Sequence, residues 1–110
     1  MNGYAWLGIA ILCEVIATTA LKASEGFTRL IPSIITSVGY VVAFYCMSQS
    51  MKTVPVGISY AIWSGIGIVL ITLLAWVIFK QKLDLPAVIG MGMILAGVLV
   101  INLFSKAAVA

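Results

Sequence analysis

Four long apolar segments dominate this sequence and restrict what it can fold into. They cover about 3–21, 33–51, 56–79 and 86–104, with short polar loops between them. A helix of about 20 residues rises roughly 30 Å, the thickness of a bilayer's hydrocarbon core. Only 8% of the residues are charged, against about 25% in ordinary soluble domains. The sequence therefore predicts an all-α membrane protein in which residues 1–110 form a single domain of four transmembrane helices.

One acidic residue, Glu14, lies inside these apolar segments. Counting along a helix places it roughly 10–15 Å below the nearer membrane surface. Its stem is too short to bring the carboxyl to the headgroups, and a carboxylate at this depth costs several kcal/mol. Two interpretations follow. Intramembrane acids usually mark a proton or cation pathway, but a protonated carboxyl can also be hydrogen-bonded to a neighbouring helix.

The remaining composition argues against several classes of protein. The cations are dispersed over loops and termini, where we expect lipid headgroups rather than nucleic acid as their partners. Cys13 and Cys46 fall inside apolar segments without disulfide or metal-ligand spacing, and there is no histidine. No nucleophile–base pair is recognisable, so we expect neither an enzyme nor a cofactor. A cleaved signal peptide is rejected because the first segment lacks a preceding basic region.

Helical spacing places several residues on the same face of the first segment as Glu14. Positions three, four and seven apart share a face, which here gives Leu7, Ala10, Ile11, Ala17 and Thr18. The small side chains on this face leave room beside the acid, or let another helix approach closely.

Aromatic side chains lie deep inside two segments. Tyr60 and Trp63 share a face of the third segment with Ser64. They form either the wall of a site that attracts cations or part of the helix packing. Tyr40 of the second segment needs a hydrogen-bond partner for its hydroxyl. It either lines a cavity or bonds a neighbouring helix.

Two pairs of glycines stand out. Gly65 and Gly67 in the third segment indicate a kink or hinge, or else close packing. Gly90 and Gly97 in the fourth segment are a heptad apart, which favours a seam where two helices approach. Because the fourth segment has no charge and no deep aromatic residue, we expect it to serve assembly.

A single acid in four helices has no partner within its own chain. A homodimer would bring two copies of Glu14 into one cavity, where burial and like charges favour protonated carboxyls. A lipophilic cation attracted by Tyr60 and Trp63 would compete with those protons. Such competition suffices for exchange when the site opens to one side of the membrane at a time.

Several motifs together resemble the small multidrug resistance family over nearly the whole chain. They are Cys13-Glu14-Val15-Ile16, KASEGFTRL at 22–30, GISYAIWSGIGIVL at 57–70 and LDLPAVIG at 83–90. The resemblance implies a four-helix subunit in the bacterial inner membrane and an antiparallel homodimer. It also implies proton-coupled export of quaternary ammonium and other aromatic cations.

The resemblance further implies roles for single residues. Glu14 would bind both proton and substrate, and Tyr60 and Trp63 would form an aromatic wall. The bend of the third helix would fall at Gly65 and Gly67. Gly90 and Gly97 match the family's dimer contact. The residues implied to line the cavity are Tyr4, Leu7, Ala10, Ile11, Thr18, Tyr40, Phe44 and Ser64.

Departures from the family pattern affect the expected range of substrates. Ala17 stands where multidrug members often have glycine, and Ala43 where some carry a hydroxyl. Methionines replace leucines in the fourth segment. Guanidinium exporters of the same family share the central Glu and Trp, but the first and third segments favour a multidrug exporter. An accessory membrane protein with a protonated Glu14, and a channel, are the alternatives.

The placement of Lys and Arg gives little preference for one orientation in the membrane. Loops one and three hold Lys22, Arg29, Lys80 and Lys82, whereas the opposite side holds Lys52 and Lys106. Cations in short loops set the topology. Four cations on one side against two on the other is a small difference. We therefore expect insertion in both orientations, with opposite copies pairing as an antiparallel dimer.

Overall fold

Four helices make up the fold over the residues that the structure describes. The computed structural model describes residues 2–106, with α1 at Gly3–Ala23, α2 at Leu30–Ser50, α3 at Val56–Phe79 and α4 at Leu85–Phe104. Each helix is long and apolar enough to cross a bilayer. No strand occurs over residues 2–106, so the all-α, four-span architecture expected from the sequence is confirmed. The expected domain of 1–110 includes five residues, Met1 and 107–110, that lie outside the described residues.

The ends of the helices follow from local chemistry. Asn2 Oδ1 accepts the N–H of Ala5 at 2.8 Å, and Asp84 Oδ1 accepts the N–H of Ala87 at 3.0 Å. Both bonds satisfy an amide that has no partner inside its helix. Helix α2 begins at Leu30 rather than at 33. Pro32 fits in this first turn because its missing N–H would have no helical partner there.

Helices α1 and α2 form a tightly packed antiparallel hairpin. The crossing is closest at Gly39, where an added Cβ would lie 2.8 Å from Ala17 Cβ and 3.3 Å from the carbonyl oxygen of Cys13. Without side-chain atoms at Gly39, the two backbones come nearly into contact, as small residues allow in membrane helices. At the other end of the hairpin, Ser50 and the loop after it cover Gly3.

Helix α3 lies against α1, and both α3 and α4 contribute to the core. The buried core residues come from all four helices and comprise Leu7, Ala10, Ile11, Val15, Cys46, Met47, Ile62 and Val98. Gly65 of α3 packs closely against α4, because a Cβ there would lie 2.6 Å from Val98 Cγ2 and 3.2 Å from Ile94 Cγ2.

Helix α4 is the most exposed of the four. Val98 is its one buried residue among those described, and Leu103 and Phe104 are 71% and 78% exposed. Added Cβ atoms on Gly90 and Gly97 would meet nothing within 4 Å. The described chain measures 45 × 35 × 17 Å, a thin slab with a broad apolar surface. This surface is suited to contact lipid or a second protein chain.

Candidate functional site

Glu14 lies in an open-sided cavity of about 270 Å³ between α1 and α3. Among the described residues, two helices supply the walls, and the lining residues are Glu14, Thr18, Tyr60, Trp63, Ser64, Gly67, Ile68 and Ile71. Tyr60 stands at the cavity with 58% of its surface exposed. The lining is mostly apolar and aromatic, with a small number of polar groups, as is usual for sites that bind small organic molecules.

The two carboxyl oxygens of Glu14 have different surroundings. Oε1 accepts a hydrogen bond from Thr18 Oγ1 at 2.9 Å. Oε2 is buried, and no protein group within the described residues donates to it. It faces Gly67, where an added Cβ would lie 3.2 Å away. Leaving a buried acceptor unpaired is costly, so Oε2 is the carboxyl oxygen at which a cation gains most.

A second helix reaches the acid through Thr18. Thr18 Oγ1 lies 2.6 Å from the hydroxyl oxygen of Tyr40 in α2, and either oxygen can be the donor by geometry. Tyr40 therefore does have the partner that its depth required, and this partner is a neighbouring helix.

Four aromatic rings run in contact beside the acid, and we call Tyr40, Phe44, Trp63 and Tyr60 the aromatic chain. Tyr40 stacks on Phe44 with centroids 6.1 Å apart and planes 22° apart. Phe44 meets Trp63 at 5.7 Å and 80°, and Trp63 meets Tyr60 at 5.6 Å and 88°. Edge-to-face pairs of this kind are favourable. They favour the observed orientations of the Trp63 and Tyr60 rings at the wall of the cavity.

The comparison with known proteins identifies the family. The family pattern described as "Small Multidrug Resistance protein" matches residues 2–94, which is most of the chain. This chain belongs to the small multidrug resistance family. As a family member with four apolar spanning helices, it is a multi-pass protein of the bacterial inner membrane.

Relatives in the small multidrug resistance family match the chain over nearly its full length. It is 59% identical to the multidrug transporter EmrE of Escherichia coli strain K12 over 106 residues, covering 96% of each chain. It is 55% identical to the quaternary ammonium compound-resistance protein QacE of Escherichia coli over 107 residues, 97% of each. It is 40% identical to QacG of Staphylococcus sp. strain ST94 over 103 residues, 94% of this chain and 96% of the relative.

The structure brings together about half of the residues implied to form the site in this small multidrug resistance protein. Glu14, Thr18, Tyr60, Trp63 and Ser64 line the cavity. Tyr40 and Phe44 adjoin it through the contacts described above. The others lie elsewhere in the single chain: Leu7, Ala10 and Ile11 are buried in the core, and Tyr4 is 42% exposed in the first turn of α1.

The two glycines implied to form the hinge contact different parts of the structure. Helix α3 runs unbroken from Val56 to Phe79. Gly65 packs against α4, whereas Gly67 lines the cavity beside Glu14. A hinge at these residues remains a prediction. So does a dimer contact at Gly90 and Gly97.

Two lining residues escaped the sequence reasoning. Ile68 and Ile71 follow Ser64 by four and seven positions, so helical spacing places them on the same face of α3. Because almost every residue of a transmembrane helix is apolar, the sequence does not distinguish Ile68 and Ile71 from isoleucines that face lipid. Ile71 and Thr18 also line an adjoining cavity of about 180 Å³, which continues toward the loop end of α1 at Lys22.

Proposed function

We propose that this protein exports lipophilic cations of the quaternary ammonium type in exchange for protons, and that proton and cation compete for Glu14. The observation that carries the proposal is the unpaired Oε2 of a membrane-embedded carboxyl beside exposed aromatic rings. An ion pair at an effective dielectric constant of 20 gains about 4 kcal/mol at 4 Å, and cation–π contact adds about 0.5–2 kcal/mol. A proton neutralises the same charge, so the two ligands exclude each other.

The names of the relatives support the class of substrate. QacE and QacG are named for resistance to quaternary ammonium compounds, and EmrE is named a multidrug transporter. Such compounds carry a charge that cannot be removed by deprotonation and have no N–H to donate. A carboxylate with aromatic neighbours suits them, because the attraction requires no directional hydrogen bond. Export moves a substrate without breaking a covalent bond, and we propose no enzymatic role for this chain.

We propose that the working unit is an antiparallel homodimer. Within residues 2–106, the walls of the cavity come from α1 and α3, and this part of the chain is 17 Å thin. A second copy would close the open side and add a second Glu14. The exposed side chains of α4, with Gly90 and Gly97, offer a surface for the contact.

Alternating access follows from the symmetry of such a pair. Two copies in opposite orientations can adopt different conformations and then exchange them, which opens the pair of Glu14 carboxyls to either side in turn. The two exchanged states have equal energy, so no ligand is needed to stabilise one of them. Gly65 and Gly67 are the positions in α3 where we propose that the helix bends.

Transport by reconstituted liposomes tests the proposal. The full chain is incorporated into proteoliposomes, and current is recorded when tetraphenylphosphonium, a guanidinium ion or a polyamine is added across a proton gradient. We expect tetraphenylphosphonium to give a proton-coupled current that Glu14→Gln abolishes. A current with guanidinium alone would place the chain with the guanidinium exporters. Conduction without coupling would indicate a channel, and no flux would indicate an accessory protein.

A further inference from the structure

Three oxygen atoms lie in a row across the contact between α1 and α2. Thr18 Oγ1 donates to Glu14 Oε1 at 2.9 Å and lies 2.6 Å from the hydroxyl oxygen of Tyr40. All three side chains are partly buried. A threonine hydroxyl has one proton, so it can donate to only one of its two neighbours at a time. We call these three groups the hydroxyl row. Its two hydrogen bonds therefore both point toward Glu14 or both point toward Tyr40.

The charge of Glu14 determines this direction. An ionised carboxylate only accepts hydrogen bonds, so Thr18 donates to Oε1 and Tyr40 must donate to Thr18. A proton taken up on Oε1 reverses the row: the carboxyl O–H donates to Thr18, Thr18 donates to Tyr40, and the Tyr40 O–H turns away. The proton enters and leaves at the carboxyl, and each hydroxyl keeps its own proton. Oε2 is a poorer position for the proton, because no protein group there accepts it.

We infer that Thr18, supported by Tyr40, is a positioning residue that favours the ionised, cation-binding form of Glu14 and reverses its hydrogen bonds when the acid is protonated. The inference rests on the proposed function, to which it adds the group that sets the pH of exchange. A hydrogen bond to a charged acceptor is roughly twice as strong as one between neutral groups. The hydroxyl row therefore stabilises the ionised state more than the protonated state, and it leaves Oε2 available to the cation.

The other titratable groups near the row are few within the described residues. From α3, the Tyr60 phenol lines the same cavity as Glu14. On α1, Cys13 adjoins Glu14 in sequence and Lys22 lines the adjoining cavity. From α2, Cys46 is buried in the core. Helix α4 contributes no titratable side chain between Leu85 and Phe104. The hydrogen bond that the structure records to the Glu14 carboxyl comes from Thr18, which is not a titratable group.

The hydroxyl row is tested by the titration of Glu14 in matched variants. The full chain is labelled with carbon-13 at glutamate carboxyls and titrated by NMR in bilayers, with Glu14→Gln to assign the signal. Thr18→Val replaces the hydroxyl by a methyl of similar size. We expect its midpoint to rise by about 0.5–1 pH unit. Thr18→Ser should restore the wild-type midpoint. Thr19→Val is the control, because Thr19 Oγ1 donates to the Val15 carbonyl at 2.8 Å instead.

Tyr40→Phe tests the second bond of the row. Alone, it should raise the midpoint by less than Thr18→Val does. Added to Thr18→Val, it should raise the midpoint no further, because the row is already broken. The inference is overturned if Thr18→Val titrates like the wild type, if Thr19→Val shifts the midpoint equally, or if the effects of Thr18→Val and Tyr40→Phe add independently.

Binding of tetraphenylphosphonium is measured on the same samples. A chain with the expected shifts that binds no cation contradicts the proposed function and supports the row.

Discussion

Gly67 of α3 faces the carboxyl of Glu14 in α1, with the position of an absent Cβ 3.2 Å from Oε2. The glycine leaves space at the one carboxyl oxygen that no described protein group hydrogen-bonds. An apolar methyl at this distance would cover the oxygen without offering it a hydrogen bond. Gly67 therefore shapes the site directly, whether or not α3 also bends there.

Replacing Gly67 by alanine should weaken cation binding. We expect affinity for tetraphenylphosphonium to fall about tenfold, equivalent to about 1.4 kcal/mol, because the methyl occupies space beside Oε2. Isothermal titration calorimetry of the purified protein measures the change. Gly57→Ala in the same helix is the control, since an added Cβ there meets nothing within 4 Å. Equal affinities for the two variants would show that Gly67 does not form part of the site.

The helices were predictable from the sequence because hydrocarbon imposes a minimum apolar length on every span. All four helices fall on the apolar segments, although α2 starts earlier, at Leu30. Glu14 and the face of Tyr60, Trp63 and Ser64 also followed from residue chemistry and helical spacing. The structure then brought these two helices to one cavity.

The contacts between helices were not predictable in the same way. Leu7, Ala10 and Ile11 share a face with Glu14 by spacing, but they belong to the same core cluster as Ile62 and Val98. How one helix crosses another decides which part of a face is covered. The Thr18–Tyr40 bond joins residues 22 apart in sequence, so no local pattern could reveal it. Gly67 has no side chain whose chemistry could indicate that it faces an acid.

The aromatic wall should contribute affinity through its rings. We expect Trp63→Ala or Tyr60→Ala to weaken the binding of aromatic cations by about 1–2 kcal/mol, the range for desolvated cation–π contacts. The proton titration of Glu14 should persist in both. Trp76→Ala is a matched control, because Trp76 is on α3, is 52% exposed and does not line the cavity. Unchanged affinity in Trp63→Ala and Tyr60→Ala would mean that these rings serve packing alone.

Helix α4 should hold the dimer together. Gly97→Leu or Gly90→Leu should separate the two chains and abolish transport, because bulk at a close helix crossing pushes the backbones apart. Native mass spectrometry measures the change in dimer fraction. Gly92→Leu is the control, since Gly92 lies about 200° around the helix from Gly90 and is likewise uncrowded. A Gly97→Leu protein that remains dimeric would place the interface on another helix.

The orientation of the chain in the membrane should respond to added charge. Two further lysines in loop one should fix a single orientation, because cations in short loops govern topology. We expect this variant to have low transport activity alone and to regain activity when co-expressed with a copy fixed in the opposite orientation. Reactivity of a single engineered cysteine toward an impermeant reagent reports the orientation. Full activity from one fixed orientation alone would contradict the antiparallel pair.

Competition between proton and cation at Glu14 is the central claim, and proton release on binding tests it most directly. Tetraphenylphosphonium is added to the purified protein in weakly buffered solution, and the pH is followed during binding. We expect the wild-type protein to release protons as the cation binds. Glu14→Gln, with wild-type helix content, should show neither binding nor release. Unimpaired, pH-dependent binding by Glu14→Gln would contradict the account.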